Sequence, residues 1–331
     1  MHPCSDAFRN LKTLIFGTRS GKSFVLNLRP GEIVGVRDED EIAATLDEKG
    51  ALEGLLFMPT MREYCRRRFR VLTRADKIMI EGIGVRHVPN AVVLEGAKCN
   101  GGVQECKRTC FLLWKEAWLK RTRDKADPDQ MAKRASLIST ISDRKQASQS
   151  SMFSCQSRSL VDASTPLSKW NIRRYMYDFT SGVYGPSEYL RTVLVSVFHR
   201  VRGILTHVIA SLHPGLHGKT GNTGRTPTSS LGLQPGDIVK VKSKQEILQT
   251  LDRVGKNRGL EFTPEMEKYF GETFRVLKRV DKMIIEQTGE MRQIANTILL
   301  EGAFCDGKAH KGCPRHCYCL WREIWLERAQ N

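Results

Sequence analysis

The sequence has no apolar run long enough to form a membrane-spanning helix. Its longest apolar stretch is interrupted by Arg200 and Arg202, whereas a spanning helix needs about 20 consecutive apolar residues. No apolar core of signal-peptide length follows Met1, so no secretion signal is expected. We therefore predict a cytoplasmic protein, in which clustered cysteines are more often metal ligands or redox thiols than structural disulfides.

The composition also lacks the extremes that mark wholly disordered chains or multi-span membrane proteins. Hydrophobic residues make up 40% of the 331 positions, and the mean hydropathy is -0.37. These values are typical of folded chains that are not embedded in a bilayer. A chain of this length is expected to form about two domains.

Acidic residues are scarce, since 36 Asp and Glu stand against 53 Lys and Arg, for a net charge of +17. Such an excess favours a polyanionic partner, either nucleic acid or an acidic membrane surface. However, residues 28–121 and 231–331 each carry a net charge of only +3, whereas residues 122–230 carry +8. Contact with nucleic acid or an anionic membrane is therefore expected only through the basic centre.

An internal repeat organises the chain. Residues 28–36 match residues 233–241, and the match continues at an offset of 205 positions as far as residues 76–77 and 281–282. It resumes near Glu95 and Glu301 and ends in the related segments 114–119 and 321–326. Two copies far apart in the chain indicate two related domains rather than a solenoid. We place them at residues 28–121 and 231–331, after an N-terminal basic segment over residues 1–27.

The pattern within one copy predicts a mainly β fold with helices (α+β). Turn residues precede or separate short apolar segments at 69–72, 77–81 and 91–94, with a glycine-containing hairpin near residues 82–84. A short helical turn is expected over residues 41–46, and Pro59 is placed to open another. Together these features predict two small barrels similar to Src-homology-3 (SH3) domains. Each barrel is expected to be closed by a cysteine cluster and a C-terminal helix whose tryptophans share one face.

The centre, residues 122–230, differs from both copies. Residues 122–165 are rich in Ser, Lys, Arg, Asp and Gln, and residues 213–230 in Gly, Thr, Pro and Ser, compositions typical of linkers. Between them, apolar residues recur at helical spacing over residues 187–212 and predict one long amphipathic helix. This helix would pack on a barrel or a second copy, or lie on an anionic membrane.

The cysteines are the sharpest chemical signal. Copy one carries three with intervals of six and three residues, and copy two carries three with intervals of seven and three, followed by Cys319. Copy two adds His310, and copy one has Cys65 where copy two has Phe270. Each copy thus offers four soft ligands, as tetrahedral zinc requires. The predicted ligands are Cys65, Cys99, Cys106 and Cys110 in copy one, and Cys305, His310, Cys313 and Cys317 in copy two.

Zinc is favoured over two alternatives that the spacing leaves open. Three cysteines per copy are also compatible with an iron–sulfur cluster. Without a metal, the cysteines would pack as small buried hydrophobes. Glu95 and Glu301, which precede the cysteine clusters, are either general bases beside a metal or members of surface ion pairs.

Several segments resemble a bacterial family of uncharacterised cysteine-rich proteins. They are the strand start at residues 235–239, the stretches 246–252 and 262–266, the Cys-Pro-Arg at 313–315 and the ending at 321–328. Members of that family resemble one or two copies of this module, so the resemblance supports the copy boundaries. It implies no catalytic residues. This chain departs from the family pattern at Phe270, so a ligand set shared by both copies is not expected.

These observations predict a non-enzymatic, zinc-stabilised tandem protein that binds a protein partner. Small barrels bury little apolar surface, so a metal would add folding free energy. An enzyme or accessory protein of a biosynthetic pathway, using an open metal site or an iron–sulfur cluster, is the first alternative. Nucleic-acid binding through the basic centre is the second.

Overall fold

The computed structural model describes residues 25–101, 105–122, 155–171, 173–185, 187 and 226–329. Short strands dominate these residues, and the few α-helices are also short. The strands of copy one are β1 (Ile33–Val36), β2 (Ala51–Leu52), β3 (Leu55–Leu56), β4 (Arg68–Arg74), β5 (Lys77–Ile80), β6 (Gly84–His87), β7 (Ala91–Lys98), β8 (Phe111–Lys115) and β9 (Leu119–Arg121). Its helices are α1 (Glu39–Ala43) and two 3₁₀ helices, Pro59–Tyr64 and Glu116–Trp118.

The centre and copy two continue the series. The described part of the centre contains α2 (Gln156–Ser159), β10 (Thr165–Pro166) and α3 (Arg173–Ser181). The strands of copy two are β11 (Ile238–Val241), β12 (Lys256–Asn257), β13 (Leu260–Glu261), β14 (Thr273–Arg279), β15 (Lys282–Ile284), β16 (Met291–Gln293), β17 (Thr297–Leu300), β18 (Trp321–Arg322) and β19 (Leu326–Arg328). Its helices are α4 (Lys244–Leu248) and the 3₁₀ helices Pro264–Tyr269 and Glu323–Trp325.

Both copies build the same five-stranded antiparallel sheet. The strand order is β8-β7-β4-β1-β9 in copy one and β18-β17-β14-β11-β19 in copy two. In each, the last strand pairs with the first, so that Val34 lies opposite Arg121 and Val239 opposite Arg328. The strand-rich architecture predicted for both copies is therefore confirmed.

Local sequence explains the short helices. Asp38 accepts a hydrogen bond from the amide of Glu41 at 3.0 Å, and the Glu41 carboxylate accepts one from the amide of Asp38 at 3.2 Å. Ser243 and Glu246 form the same reciprocal cap in copy two. Such capping boxes satisfy amides that a helix start leaves unpaired. The helical turn predicted over residues 41–46 accordingly begins slightly earlier, at Glu39.

The predicted C-terminal tryptophan helix is wrong. Residues 111–121 form strand β8, a single 3₁₀ turn and strand β9. Trp114 and Trp118 are still both fully buried; Trp114 lies within β8, and Trp118 lies in the 3₁₀ turn that follows this strand. A spacing of four residues therefore placed two rings on one side without a helix, and Trp321 and Trp325 repeat the arrangement.

Part of the expected linker is folded against copy one. Cys155, Leu160 and Ala163 belong to its hydrophobic core, and β10 pairs with β6 as a third strand of the β5–β6 hairpin. The composition of this stretch did not reveal that Cys155, Leu160, Ala163 and Leu167 are buried. The sequence predicts an amphipathic helix over residues 187–212. Apart from Ser187, this segment lies outside the described residues.

The two copies pack against each other reciprocally. On one side, the amide of Met79 in the β5–β6 hairpin donates to the sulfur of Cys313 at 3.3 Å. On the other, the amide of Lys107 donates to the carbonyl of Lys282, which begins the β15–β16 hairpin, at 2.9 Å. Each hairpin thus contacts the cysteine-bearing loop of the other copy, as in an interface between two-fold related subunits.

Among the helices of the described part of the chain, none has the length and apolarity needed to cross a membrane.

Candidate metal centres

Each cysteine loop joins two neighbouring strands of its sheet. The amide of Cys99, just after β7, donates to the carbonyl of Cys110, just before β8, at 2.7 Å. Cys305 and Cys317 form the equivalent bond at 2.8 Å. The first and third cysteines of each array therefore face each other across the base of a loop, which carries the second cysteine within it.

A glycine in each loop permits the second cysteine to approach. Gly101 and Gly307 both have φ of +77°, and a Cβ atom at either would strike the carbonyl of Cys106 or Cys313. Glycine tolerates this left-handed conformation and leaves room for the close backbone approach. The amide of Gly101 also donates to the sulfur of Cys99 at 3.3 Å. The Cys-x-Gly sequence of both copies thus shapes the loop around its thiols.

In copy one, four thiols line a single small cavity. Its volume is about 30 Å³, and its walls include Cys99, Cys106, Cys110 and Cys155. Burial raises the pKa of Cys99 to about 11, and the nearby thiols of Cys155 and Cys106 add to that shift. The Cys99 thiol is therefore protonated at neutral pH, and a bound metal ion would displace its proton.

The fourth thiol of this cavity differs from the predicted one. Cys155 comes from the folded end of the central segment, where it precedes α2. Cys65, predicted as the fourth ligand, does not line the cavity; its sulfur lies 4.0 Å from the carbonyl of Met61. Burial, then Glu39 and Asp38, raises the pKa of Cys65. The sequence offered one sign that Cys155 is a ligand candidate: it is an isolated cysteine in a stretch rich in Ser and Gln.

In copy two, a mixed set of donors converges. The sulfur of Cys305 lies 3.5 Å from Nδ1 of His310, and the same Nδ1 lies 2.9 Å from a carboxylate oxygen of Glu265. Among the described residues, this is the only group of three His, Cys, Asp or Glu side chains whose ligand atoms all lie within 4.8 Å of one another. Of the predicted ligands it contains Cys305 and His310, and it adds Glu265, which sequence reasoning missed.

The remaining predicted ligands, Cys313 and Cys317, lie between this group and copy one. Cys313 is buried against the β5–β6 hairpin, and its burial raises its pKa to about 11. Burial is the main cause of the raised pKa of Cys110 and of Cys305. Cys317 lies near enough to both thiols to add to the shift. Neither Cys313 nor Cys317 belongs to the convergent group of three.

A buried ion cluster connects the two cysteine loops. Arg315 donates two hydrogen bonds to the carboxylate of Glu286, at 2.6 and 2.7 Å, and Arg108 of copy one lies 3.5 Å from it. Burial alone would raise the pKa of Glu286, but the two guanidinium groups lower it to about 2. The carboxylate is therefore ionised at neutral pH and joins a cation from each loop.

Glu95 and Glu301 are members of surface ion pairs. Glu95 lies 3.5 Å from Arg70 with 59% of its side chain exposed, and Glu301 lies 3.9 Å from Arg275 with 50% exposed. Neither belongs to the convergent donor group. The ion-pair interpretation of these glutamates is therefore the one that their placement supports.

Comparison with known proteins gives no match, whether with protein-family models, curated proteins or solved structures.

Proposed function

We propose that this chain is a non-enzymatic scaffold of two zinc-stabilised SH3-like barrels that binds a protein partner. Two features support a barrel in each copy: four of the five strands are antiparallel neighbours in chain order, and the fifth returns to pair with the first. The repeated Trp-x-Glu-x-Trp segment buries its two indole rings against each sheet.

The observation that carries the proposal is the position of the cysteine loops. Each loop brings its first and third cysteines together through a backbone hydrogen bond at the end of its own sheet, and it also contacts the hairpin of the other copy. A metal ion held there would stabilise one copy and its contact with the other at the same time. Metal binding to a site that exists only in the folded chain adds directly to folding free energy.

The donors fit zinc better than an iron–sulfur cluster. The four thiols that line the cavity of copy one are ligand types of either group, but no three of their sulfur atoms lie within 4.8 Å of one another, so metal binding there requires them to draw together. The thiol, imidazole and carboxylate of copy two are ligands that zinc accepts, whereas clusters bind mainly through thiolates. One metal type for both copies therefore points to zinc.

A protein partner is favoured by exposed apolar side chains of the centre. Trp170 is 86% exposed, Met176 58% and Phe179 54%. Large exposed apolar side chains grouped in one segment are typical of protein interaction sites. Nucleic-acid or anionic-membrane contact through the basic centre stays a prediction, and steep salt dependence of binding would reveal it.

The test is to measure metal in the full chain purified under reducing conditions, beside two matched variants. We expect zinc in the native chain, and a lower unfolding temperature after chelation. C106S should lose the zinc of copy one and unfold at lower temperature, whereas C65S, outside the cavity, should behave like the native chain. Native protein that contains no metal and is insensitive to chelators would refute the proposal. Bound iron with visible absorbance would instead show that the chain holds an iron–sulfur cluster and not zinc.

The enzyme or accessory alternative is favoured by one observation. The convergent group in copy two has three protein donors, and catalytic zinc sites likewise keep one position for water or substrate. A fourth protein ligand in the metal-bound chain would remove that support.

A further inference from the structure

Glu265 is an unusual residue to bury. It lies in the first turn of the 3₁₀ helix Pro264–Tyr269, and only 2% of its side chain is exposed. One oxygen, Oε1, is 2.9 Å from Nδ1 of His310. The other, Oε2, is buried with no hydrogen-bond partner among the described residues. The Cys305 thiol and the Ala309 amide also lie beside this carboxylate, but neither makes a hydrogen bond of normal geometry to Oε2, and a buried oxygen without one costs free energy.

An ordinary ion pair does not explain this arrangement. A pair between His310 and Glu265 would use Oε1 and leave Oε2 without compensation. The sulfur of Cys305, hydrogen-bonded to the same imidazole nitrogen at 3.5 Å, brings a third possible ligand atom to the same place.

A catalytic triad does not explain it either. In a triad the two imidazole nitrogens divide the work, one facing the nucleophile and the other the carboxylate. Here the thiol and the carboxylate both lie beside Nδ1. Donor atoms that crowd around one point, instead of forming a relay, are arranged as ligands around a cation.

The equivalent position in copy one shows that the convergent donors, and not the orphaned oxygen alone, distinguish copy two. Thr60 occupies the place of Glu265 in the repeat, and its hydroxyl is also buried with no hydrogen-bond partner among the described residues, but it belongs to no convergent donor group. A threonine hydroxyl is not among the usual ligands of zinc, whereas a carboxylate is. The two copies have thus diverged: copy one surrounds its cavity with thiols, and copy two combines one thiol with imidazole and carboxylate.

We propose that Glu265, Cys305 and His310 bind one zinc ion through Oε2, Sγ and Nδ1, with Glu265 as a direct ligand. The ion would lie between the three donor atoms and would give Oε2 the partner that it lacks. This inference rests on the proposed function for the identity of the metal, but the ligand set is specific to copy two. Three protein ligands leave the fourth tetrahedral position to another donor.

The experiment compares zinc binding by the full chain and by E265Q after removal of metal under reducing conditions. We expect E265Q to weaken zinc binding at one site at least about tenfold, since altering even the groups that support a ligand typically costs 10–100-fold. E267Q is the matched control, because Glu267 lies on the same 3₁₀ helix but is 44% exposed and pairs with Lys244. Its zinc affinity should equal that of the native chain.

A second variant guards against misfolding. His310 is 39% exposed, so H310Q is expected to fold and to lose the same site. Cobalt bound to C106S should then show the absorption spectrum of a site with one thiolate. Adding H310Q to C106S should abolish that spectrum. Unchanged zinc affinity in both E265Q and H310Q would overturn the inference, even if C106S still lost its zinc. Absence of any zinc from the native chain would instead refute the proposed function as a whole.

Discussion

At the scale of single residues, the two copies solve the same problems with equivalent groups. The indole N–H of Trp118 donates to the hydroxyl of Thr45 at 3.2 Å, and that of Trp325 to Thr250 at 3.0 Å. The glycines of the cysteine loops are equally matched, since both adopt a left-handed conformation beside the carbonyl of the second cysteine. Such residues are repeated because the local backbone admits few replacements.

Substitution of Gly307 should therefore be far more costly than substitution of Gly302. Both glycines have φ of +77°, but only Gly307 has backbone within reach of an added methyl group, with the carbonyl carbon of Cys313 at 2.9 Å. Left-handed strain alone should cost G302A about 1 kcal/mol. The backbone clash should cost G307A roughly 1–3 kcal/mol more. Urea unfolding of the two variants measures the difference, and equal midpoints would contradict the clash.

At the scale of elements, a buried glutamate in each copy binds the backbone amides of the segment that precedes the sheet. Glu116 is fully buried. Its carboxylate accepts hydrogen bonds from the amides of Leu26, Asn27 and Leu28 at 2.7, 3.0 and 2.9 Å, and from Arg74 at 2.6 Å. Glu323 accepts from the amides of Leu231 and Gly232 and from Arg279 in the same way. This explains why a glutamate lies between the two tryptophans of both copies.

The variant E116Q should destabilise copy one strongly. The amide group of glutamine would present N–H donors to a site lined only by donors, and it would remove one of the two buried carboxylates that pair with Arg74, the other being Asp76 at 2.7 Å. Breaking a buried ion pair in this way costs about 3–5 kcal/mol. E95Q removes an exposed pair and should cost less than about 1 kcal/mol. Chemical denaturation compares the free energies of unfolding of the two variants, and hydrogen exchange at Leu26–Leu28 is a local readout. Similar losses of stability in both variants would argue against the role of Glu116 in binding this segment.

At the scale of the whole molecule, the copies share one buried region. Val280, Met283, Ile284 and Leu299 of copy two belong to the hydrophobic core of copy one. The central segment joins the same region through the buried pair of Lys77 and Asp178, beside which Gly312 of copy two lies. The copies are therefore expected to unfold together rather than as independent domains.

The carboxylate of Glu286 should make this shared region sensitive to acid. Its pKa falls from an ordinary 4.5 to about 2 in the folded chain. A lowered pKa contributes stability that is present above the unfolded value and is lost as the pH falls towards the folded value. We expect the native chain to lose stability between about pH 4.5 and pH 2, and E286Q to lose less over that interval.

At neutral pH, E286Q itself should cost about 3–5 kcal/mol, because Arg108 and Arg315 would remain buried without their carboxylate. E105Q provides the control, since Glu105 also bridges the copies, through Lys282, but is 72% exposed. It should leave the unfolding temperature nearly unchanged. Thermal unfolding measured from pH 2 to pH 7 provides the comparison, and parallel curves for E286Q and the native chain would disprove the assignment.

The sequence by itself determined the repeated plan of this protein. The repeat predicted two equivalent strand-rich copies, Pro59 predicted a short helix, and Gly82 and Gly84 predicted the hairpin between β5 and β6. These features depend on neighbours in the chain, since backbone conformation and alternation are local properties. The tryptophan spacing was equally local but ambiguous, because two rings four positions apart suit a helix or a strand followed by a tight turn.

Only the tertiary structure decided which groups meet. Cys155 lines the cavity while Cys65, more prominent in the repeat, does not; Glu265 joins Cys305 and His310 from a different element. Neither choice is visible in spacing, since a ligand set depends on how separate elements pack. The reciprocal packing of hairpins on cysteine loops is likewise beyond the sequence pattern. It follows from the free energy of burying one copy's apolar surface against the other's, a property of the folded molecule.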